Sequence, residues 1–277
     1  MNCKAWQQML RETGTYDTGA EGTDVREPWL GRYDWWFHVH ALGIYIRGCA
    51  LACVGRYGDL GWATSSFLFL RLYEACGARV HIRGSGNLQH TPAVVVANHM
   101  SMAETFLLPV VLLAHSRLAI VIKRSLTRYP FFGQILQATD PIRVTRKNAR
   151  EDLRTVLEKG AAALAAGRSV LIFPQYTRNP RFDPKLFNSI GVKLASRAGV
   201  PLIPVALKTD FHGLGRIIKD AGRMDRSKEM HFCVGAPLTV DGNEKDVQRK
   251  AIEFIAGKLR EWGGETAEDN VNQGTHD

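Results

Sequence analysis

Beyond Gly77 the chain breaks into seven short apolar runs, at residues 80–82, 93–97, 118–122, 141–144, 169–173, 202–207 and 230–234. Most are rich in β-branched residues and bounded by Gly, Pro or Asn, which is the pattern of strands. The run Ala93-Val-Val-Val-Ala97 carries no polar residue on either face, so a strand built from it needs cover on both sides. The cover is amphipathic helix. Over residues 149–166, Leu153, Val156, Leu157, Gly160, Ala161 and Leu164 recur at helical spacing, while Arg150, Glu151, Asp152, Arg154 and Lys159 take the other face. Gly167 follows as a C-cap. Strands alternating with helices predict an α/β fold, with a mixed, largely parallel central sheet flanked by helices.

The segments outside this alternation read differently. Residues 1–27 are polar and slightly acidic, without the basic-then-apolar order of a signal peptide. An apolar stretch follows at 35–55, close to the roughly 20 residues that span a bilayer. It contains His38, His40 and Arg47, and a mid-bilayer Arg costs about 2.5–3.5 kcal/mol. Together with a shorter stretch at 67–75 it predicts helices lying in a membrane interface, with Trp35 and Trp36 as belt residues. The expected organisation is therefore a polar arm and membrane-associated helices at 1–77, a main domain at 78–263, and a disordered acidic tail at 264–277. The five cysteines include no CxxC pair, which predicts reduced thiols in a cytosolic setting and no metal site.

Charge is concentrated in the middle of the chain. Residues 117–228 hold 22 Lys and Arg against 8 Asp and Glu, and the rest carries 14 against 19. A basic block of this kind attracts phosphate, on nucleic acid, lipid or a small substrate. Nucleic acid is disfavoured because no aromatic-and-basic recognition motif or helix-turn-helix pattern accompanies the charge.

Four clusters of chemically capable residues occur in order. Asn98-His99 follows the strand at 93–97, with Glu104 five residues after the histidine. If His99 lies just before the first turn of a helix, Glu104 reaches back to one ring nitrogen, and the other becomes a general base. Lys123, Leu126, Gly133 and Arg146 form the second cluster, and Phe173-Pro174-Gln175-Tyr176-Thr177-Arg178 the third. The fourth is Val200-Pro201-Leu202-Ile203-Pro204-Val205.

In this order the clusters resemble the four blocks of the glycerolipid acyltransferase family, Asn-His-x4-Asp, Lys-x2-Leu-x6-Gly-x12-Arg, Phe-Pro-Glu-Gly-Thr-Arg and Val-Pro-x-x-Pro-Val. The likeness covers roughly residues 78–240. Glu104 stands in place of the family's Asp, Gln175-Tyr176 in place of Glu-Gly, and Asn188 where many members have Lys.

The resemblance implies transfer of a fatty acyl group from acyl-CoA or acyl carrier protein to the hydroxyl of a lysophospholipid, foremost 1-acyl-sn-glycerol-3-phosphate. No cofactor beyond the thioester co-substrate is expected. It makes His99 and Glu104 the catalytic pair, and Lys123, Arg146, Gln175, Thr177 and Arg178 the substrate-binding residues. Backbone N–H groups at the start of the helix after His99 are the expected oxyanion donors. A different lysolipid acceptor, a thioesterase using water, and a catalytically weak lipid-binding protein remain open alternatives. Arg181, Lys185, Lys193, Arg216, Lys219 and Arg223 are expected to face anionic lipid on the cytoplasmic side of a membrane, with the mouth of the His99 cleft on the same side.

Overall fold

The structure is a computed structural model and describes residues 1–19, 28–89, 92–215 and 222–267. In chain order the regular elements are α1 (Cys3–Thr13), β1 (Tyr16–Asp17), α2 (Asp34–Cys53), α3 (Gly58–Ala75), β2 (Val80–Arg83), β3 (Val94–Ala97), α4 (Ala103–Leu112) and β4 (Arg117–Lys123). They continue with α5 (Phe132–Ala138), β5 (Ile142–Val144), α6 (Ala149–Ala165), β6 (Arg168–Ile172), α7 (Ile190–Ala198), β7 (Leu202–Lys208), β8 (Met230–Val234) and α8 (Glu244–Glu261). All seven expected strands are present.

The strands form one sheet in the order β1-β2-β8-β7-β3-β6-β4-β5. The central run β7-β3-β6-β4-β5 is parallel throughout, and the antiparallel pairs are β7 with β8 and β1 with β2. Side-chain alternation divides the core in two. Val95, Ala97, Leu118 and Ile120 pack with α1, α3 and α4 on one face, while Val94, Val96, Ala119 and Val170 pack with α6, α7 and α8 on the other. This explains why β3 is apolar at every position. Gly191 lets α7 approach the sheet, since a Cβ there meets Val96 Cγ1 at 2.4 Å.

The structure adds three points to the reading of the flanking segments. The arm at 1–27 contains a helix: Asn2 caps α1 by accepting from Ala5 N–H at 2.9 Å, and Trp6 and Leu10 are fully buried. The Cys3, Trp6, Leu10 spacing gives α1 an apolar stripe, and packing against the core offsets its shortness. Of the two stretches assigned to a membrane interface, the second lies within α3, which is largely buried and packs between α2 and α4. The tail at 264–277 is ordered at its start, because Glu265 O accepts from Phe182 N–H at 2.9 Å and Ala267 N–H donates to Phe182 O at 2.8 Å. Residues 268–277 lie outside the described residues, as do Arg216 and Lys219.

Helix α2 buries Phe37, Ala41 and Gly48 and turns Trp35, Val39, Leu42 and Ile46 outward. Those four recur at intervals of four, three and four residues, so they form one exposed apolar stripe. Among the described residues no helix is long and apolar enough to cross a membrane.

Candidate active site

The parallel strands β3, β6, β4 and β5 end on one edge of the sheet, and open α/β sheets bind ligands beyond such ends. His99 lies two residues past β3. Its departure from the strand is fixed by Asn98, whose amide donates to Leu207 O at 2.7 Å and accepts from Leu207 N–H at 2.8 Å. The side chain thus acts as one more rung between β3 and β7.

The segment after β6 holds the histidine from the other side. Gln175 Oε1 accepts from His99 N–H at 2.6 Å, and Asn179 N–H donates to His99 O at 2.9 Å. The imidazole stacks on Phe173 with centroids 4.4 Å apart. Both backbone polar groups of His99 are therefore satisfied by residues 175–179, and its ring is oriented by an aromatic neighbour.

Because α4 begins at Ala103, His99 precedes the first turn and Glu104 lies within it. Glu104 Oε1 is 3.0 Å from His99 Nδ1. The same carboxylate accepts from Met100 N–H at 2.6 Å, Ser101 N–H at 2.8 Å and Thr209 Oγ1 at 2.6 Å. Glu104 is fully buried. Burial alone raises a carboxylate's pKa, but the hydrogen bonds from His99 and Thr209 outweigh it and hold Glu104 below the ordinary glutamate value. An ionised Glu104 keeps the hydrogen on Nδ1 and leaves Nε2 as the acceptor.

This arrangement corrects the expected source of oxyanion donors. The N–H groups of Met100 and Ser101 are turned onto Glu104, and Ala103 N–H donates to Ser101 Oγ at 3.0 Å. These donors stabilise a buried charge instead of facing the cleft. Ser101 Oγ accepts from Ala103 N–H and itself donates to Glu104 Oε2 at 3.0 Å, so it faces the helix that follows.

The expected binding residues are distributed along the same edge. Lys123 ends β4 and pairs in register with Val144, two strands from His99 and hence about 10 Å away in the plane of the sheet. Arg146 follows β5 in the left-handed region at φ 57°, with Asp152 accepting from its N–H at 2.7 Å. Its guanidinium reaches back to Tyr176, donating to the carbonyl oxygen and standing 5.8 Å from the ring centroid. Gln175 is buried against His99, Arg178 is half-buried next to the residue that bonds His99 O, and Thr177 is exposed. Gly133 is a packing requirement, since a Cβ there meets Thr127 O at 2.4 Å.

Thr209, which supports Glu104 from the end of β7, had no local signal in the sequence. Two cations read as membrane surface have other places: Arg181 donates to Ala267 O at 3.1 Å, and Lys193 lines a cleft with Arg146 and Gln175. An apolar pocket lies on the opposite side of the sheet, lined by Tyr45, Phe69, Phe106, Phe132, Ile135 and Leu136 and reaching Thr105 beside Glu104.

Comparison with known proteins identifies relatives of the chain. The Acyltransferase family model matches residues 79–208. The chain is 30% identical over 211 residues to 1-acyl-sn-glycerol-3-phosphate acyltransferase of Pseudomonas aeruginosa, covering 76% of this chain and 77% of that one. It is 28% identical over 187 residues to a lyso-ornithine lipid O-acyltransferase of the same organism, covering 63% and 70%. Among solved structures, the 1-acyl-sn-glycerophosphate (LPA) acyltransferase of Thermotoga maritima superposes with a TM-score of 0.55 at 19% identity, covering 81% of this chain and 97% of that one. That likeness shows a shared fold.

Proposed function

The chain belongs to the acyltransferase family, and on that premise we propose that it moves a fatty acyl group from a thioester to the hydroxyl of 1-acyl-sn-glycerol-3-phosphate, giving phosphatidate for phospholipid synthesis. The observation that carries this reading is the His99–Glu104 pair at the end of β3. His99 Nε2 takes the proton of the acceptor hydroxyl as its oxygen attacks the thioester carbonyl. Glu104 stabilises the imidazolium that forms. When the tetrahedral intermediate collapses, the C–S bond breaks, the ester C–O bond remains, and His99 returns the proton to the thiolate. Base assistance of this type is worth about 10²–10⁴-fold.

Lys123, Arg146 and Arg178 are the proposed phosphate ligands, Arg by bidentate contact and Lys as a point charge. The apolar pocket at Phe106 and Ile135 is the proposed seat of the donor's acyl chain, whether the donor is acyl-CoA or acyl carrier protein. The outward stripe Trp35, Val39, Leu42 and Ile46 supports monotopic association with the cytoplasmic face of a membrane, with Arg47 exposed on the same helix to meet anionic headgroups.

The deciding experiment offers the purified, detergent-solubilised protein a panel of lysolipids with acyl-CoA and acyl carrier protein donors. Transfer to 1-acyl-sn-glycerol-3-phosphate that depends on His99 supports the reading, and its absence sinks it. A second acceptor is favoured by one observation: Gln175-Tyr176 brings an amide and an exposed ring to the site, and a lyso-ornithine lipid acyltransferase is among the relatives. Lyso-ornithine lipid therefore belongs in the panel.

A further inference from the structure

The residues that hold the backbone of His99 belong to the connection between β6 and α7, residues 173–189, whose one regular piece is the 3-10 turn Pro184–Leu186. A connection this long with so little structure of its own is usually functional. Its ends are fixed. Asn188 donates its amide to Pro174 O, and Gln248 of α8 donates to Phe187 O at 2.8 Å. Its outer turn gains little from burial, since Tyr176, Thr177, Asn179 and Pro180 are exposed. Yet Asn179 is the residue whose N–H meets His99 O at 2.9 Å.

A tie to this turn comes from the far end of the chain. After α8 the backbone turns at Gly263, in the left-handed region at φ 69°, and lies beside Phe182 as a short parallel rung. Phe182 N–H donates to Glu265 O at 2.9 Å, Ala267 N–H donates to Phe182 O at 2.8 Å, and Thr266 between them is buried. Both backbone groups of Phe182 are thereby used, and its buried ring meets Phe187 with centroids 5.7 Å apart. Arg181 adds a second tie, its guanidinium donating to Ala267 O at 3.1 Å. From Phe182 the constraint runs back along the loop, because Arg181 N–H donates to Asn179 Oδ1 at 3.1 Å and Asn179 N–H donates to His99 O. Residues 265–267 lie outside 79–208, the stretch that the family model matches.

Resting on the function proposed above, we propose that residues 265–267 are a strap that positions His99 for proton transfer by holding the loop at Asn179. They touch no substrate and act through the loop. The same hold sets Arg178, beside Asn179, relative to the histidine. A misplacement of about 1 Å costs on the order of 10²-fold in rate, so a strap that is loosened and not lost costs less. Opening of the outer turn is a local event, separate from unfolding of the sheet.

The test compares wild type, Ala267→Pro, which lacks the N–H given to Phe182 O, and Ala267→Gly, which keeps it. Hydrogen exchange of residues 175–182 and of strand β3 is followed by mass spectrometry, and kcat and KM are measured with acyl-CoA and 1-acyl-sn-glycerol-3-phosphate. Losing one backbone hydrogen bond corresponds to about fivefold faster exchange at 175–182 and about a fivefold fall in kcat in Ala267→Pro. The acyl-CoA KM should stay within about twofold, exchange of β3 and the unfolding midpoint should not move, and Ala267→Gly should match wild type. If Ala267→Pro lowers the midpoint, Arg181→Ala removes the second tie and carries the same expectations. Unchanged exchange at 175–182, or faster exchange with kcat intact, overturns the strap and leaves the proposed function standing. An equal loss in Ala267→Gly assigns the effect to side-chain packing and overturns it as well. With a wild type that transfers no acyl group the proposed function fails, and the strap then stands or falls on the exchange rates of Ala267→Pro.

Discussion

Glu104 Oε1 lies 3.0 Å from His99 Nδ1 while the same carboxylate receives two backbone N–H groups and the Thr209 hydroxyl. His99 is thus held by a charge that is buried yet fully hydrogen-bonded. His99→Ala should cost about 10²–10⁴-fold in kcat and leave vesicle binding unchanged. Glu104→Gln should lower kcat and destabilise the fold. Because the folded pKa of Glu104 is lowered, its stabilising contribution is present above the unfolded glutamate value of about 4.3 and is lost as pH falls through the folded value. Unfolding midpoints of wild type and Glu104→Gln should therefore converge below about pH 4. Curves that stay parallel into acid refute the assignment.

Thr209 touches no substrate in this scheme and acts by positioning Glu104. Thr209→Val keeps the shape and removes the donor 2.6 Å from Oε2. Loss of a charge-assisted hydrogen bond predicts about a tenfold fall in kcat at unchanged acceptor KM. Thr209→Ser restores the donor and should restore the rate, which a purely packing role would not require.

Seating the acyl chain in the apolar pocket, as proposed, predicts chain-length selectivity. Ile135 and Leu136 on α5 form part of its wall, facing Phe106 and Phe132. Leu136→Phe adds volume there, so long-chain donors should lose kcat/KM relative to medium-chain ones. Competition between two thioesters in one reaction reads this directly, and an unchanged ratio places the chain elsewhere.

Membrane association should depend on the outward stripe of α2. Replacing Trp35, Val39 and Ile46 together by Ser removes exposed apolar surface without touching the buried Phe37, Ala41 and Gly48. Sedimentation with anionic vesicles should show loss of binding while activity on micellar substrate persists. Full retention on vesicles would refute an interfacial role for α2.

A histidine on β8 gives the stability its own pH dependence. His231 is stacked between His81 and Trp262, and burial, reinforced by the neighbouring His81, pushes its pKa down to about 4. Between about pH 6.5 and 4 the unfolded chain binds a proton that the folded chain refuses, so stability falls as pH drops through that window. His231→Gln should flatten this part of the stability profile, measured by the unfolding midpoint. An unchanged slope assigns the dependence to other groups, such as His115, also lowered to about 4.

Much of this was legible in the chain. The apolar runs located every strand of the parallel core because strands covered on both faces need uninterrupted β-branched sequence. The spacing of His99 and Glu104 carried its own condition, that the histidine precede the helix, and α4 meets it by starting at Ala103. What escaped the sequence was short or distant. The eleven residues of α1 carry an apolar stripe at Cys3, Trp6 and Leu10, but the polar residues around it read as an arm. The exposed or buried standing of α2 and α3 depends on α4, which packs along α3 and meets α2 at Tyr45 against Phe106.

The sequence by itself determined the kind of chemistry through four motifs in order, whose resemblance to the glycerolipid acyltransferases implied acyl transfer where the His99 and Glu104 pair alone did not. The tertiary structure alone decided how those groups are used. It turned the helix-start N–H groups inward to hold Glu104, because a charge buried in that turn outcompetes the cleft for nearby donors. It brought Thr209 from 105 residues away to the same carboxylate. It also set Lys193 and Gln175 on one wall, since which side chains share a cleft follows from how α7 packs on β3, a contact that no local pattern encodes.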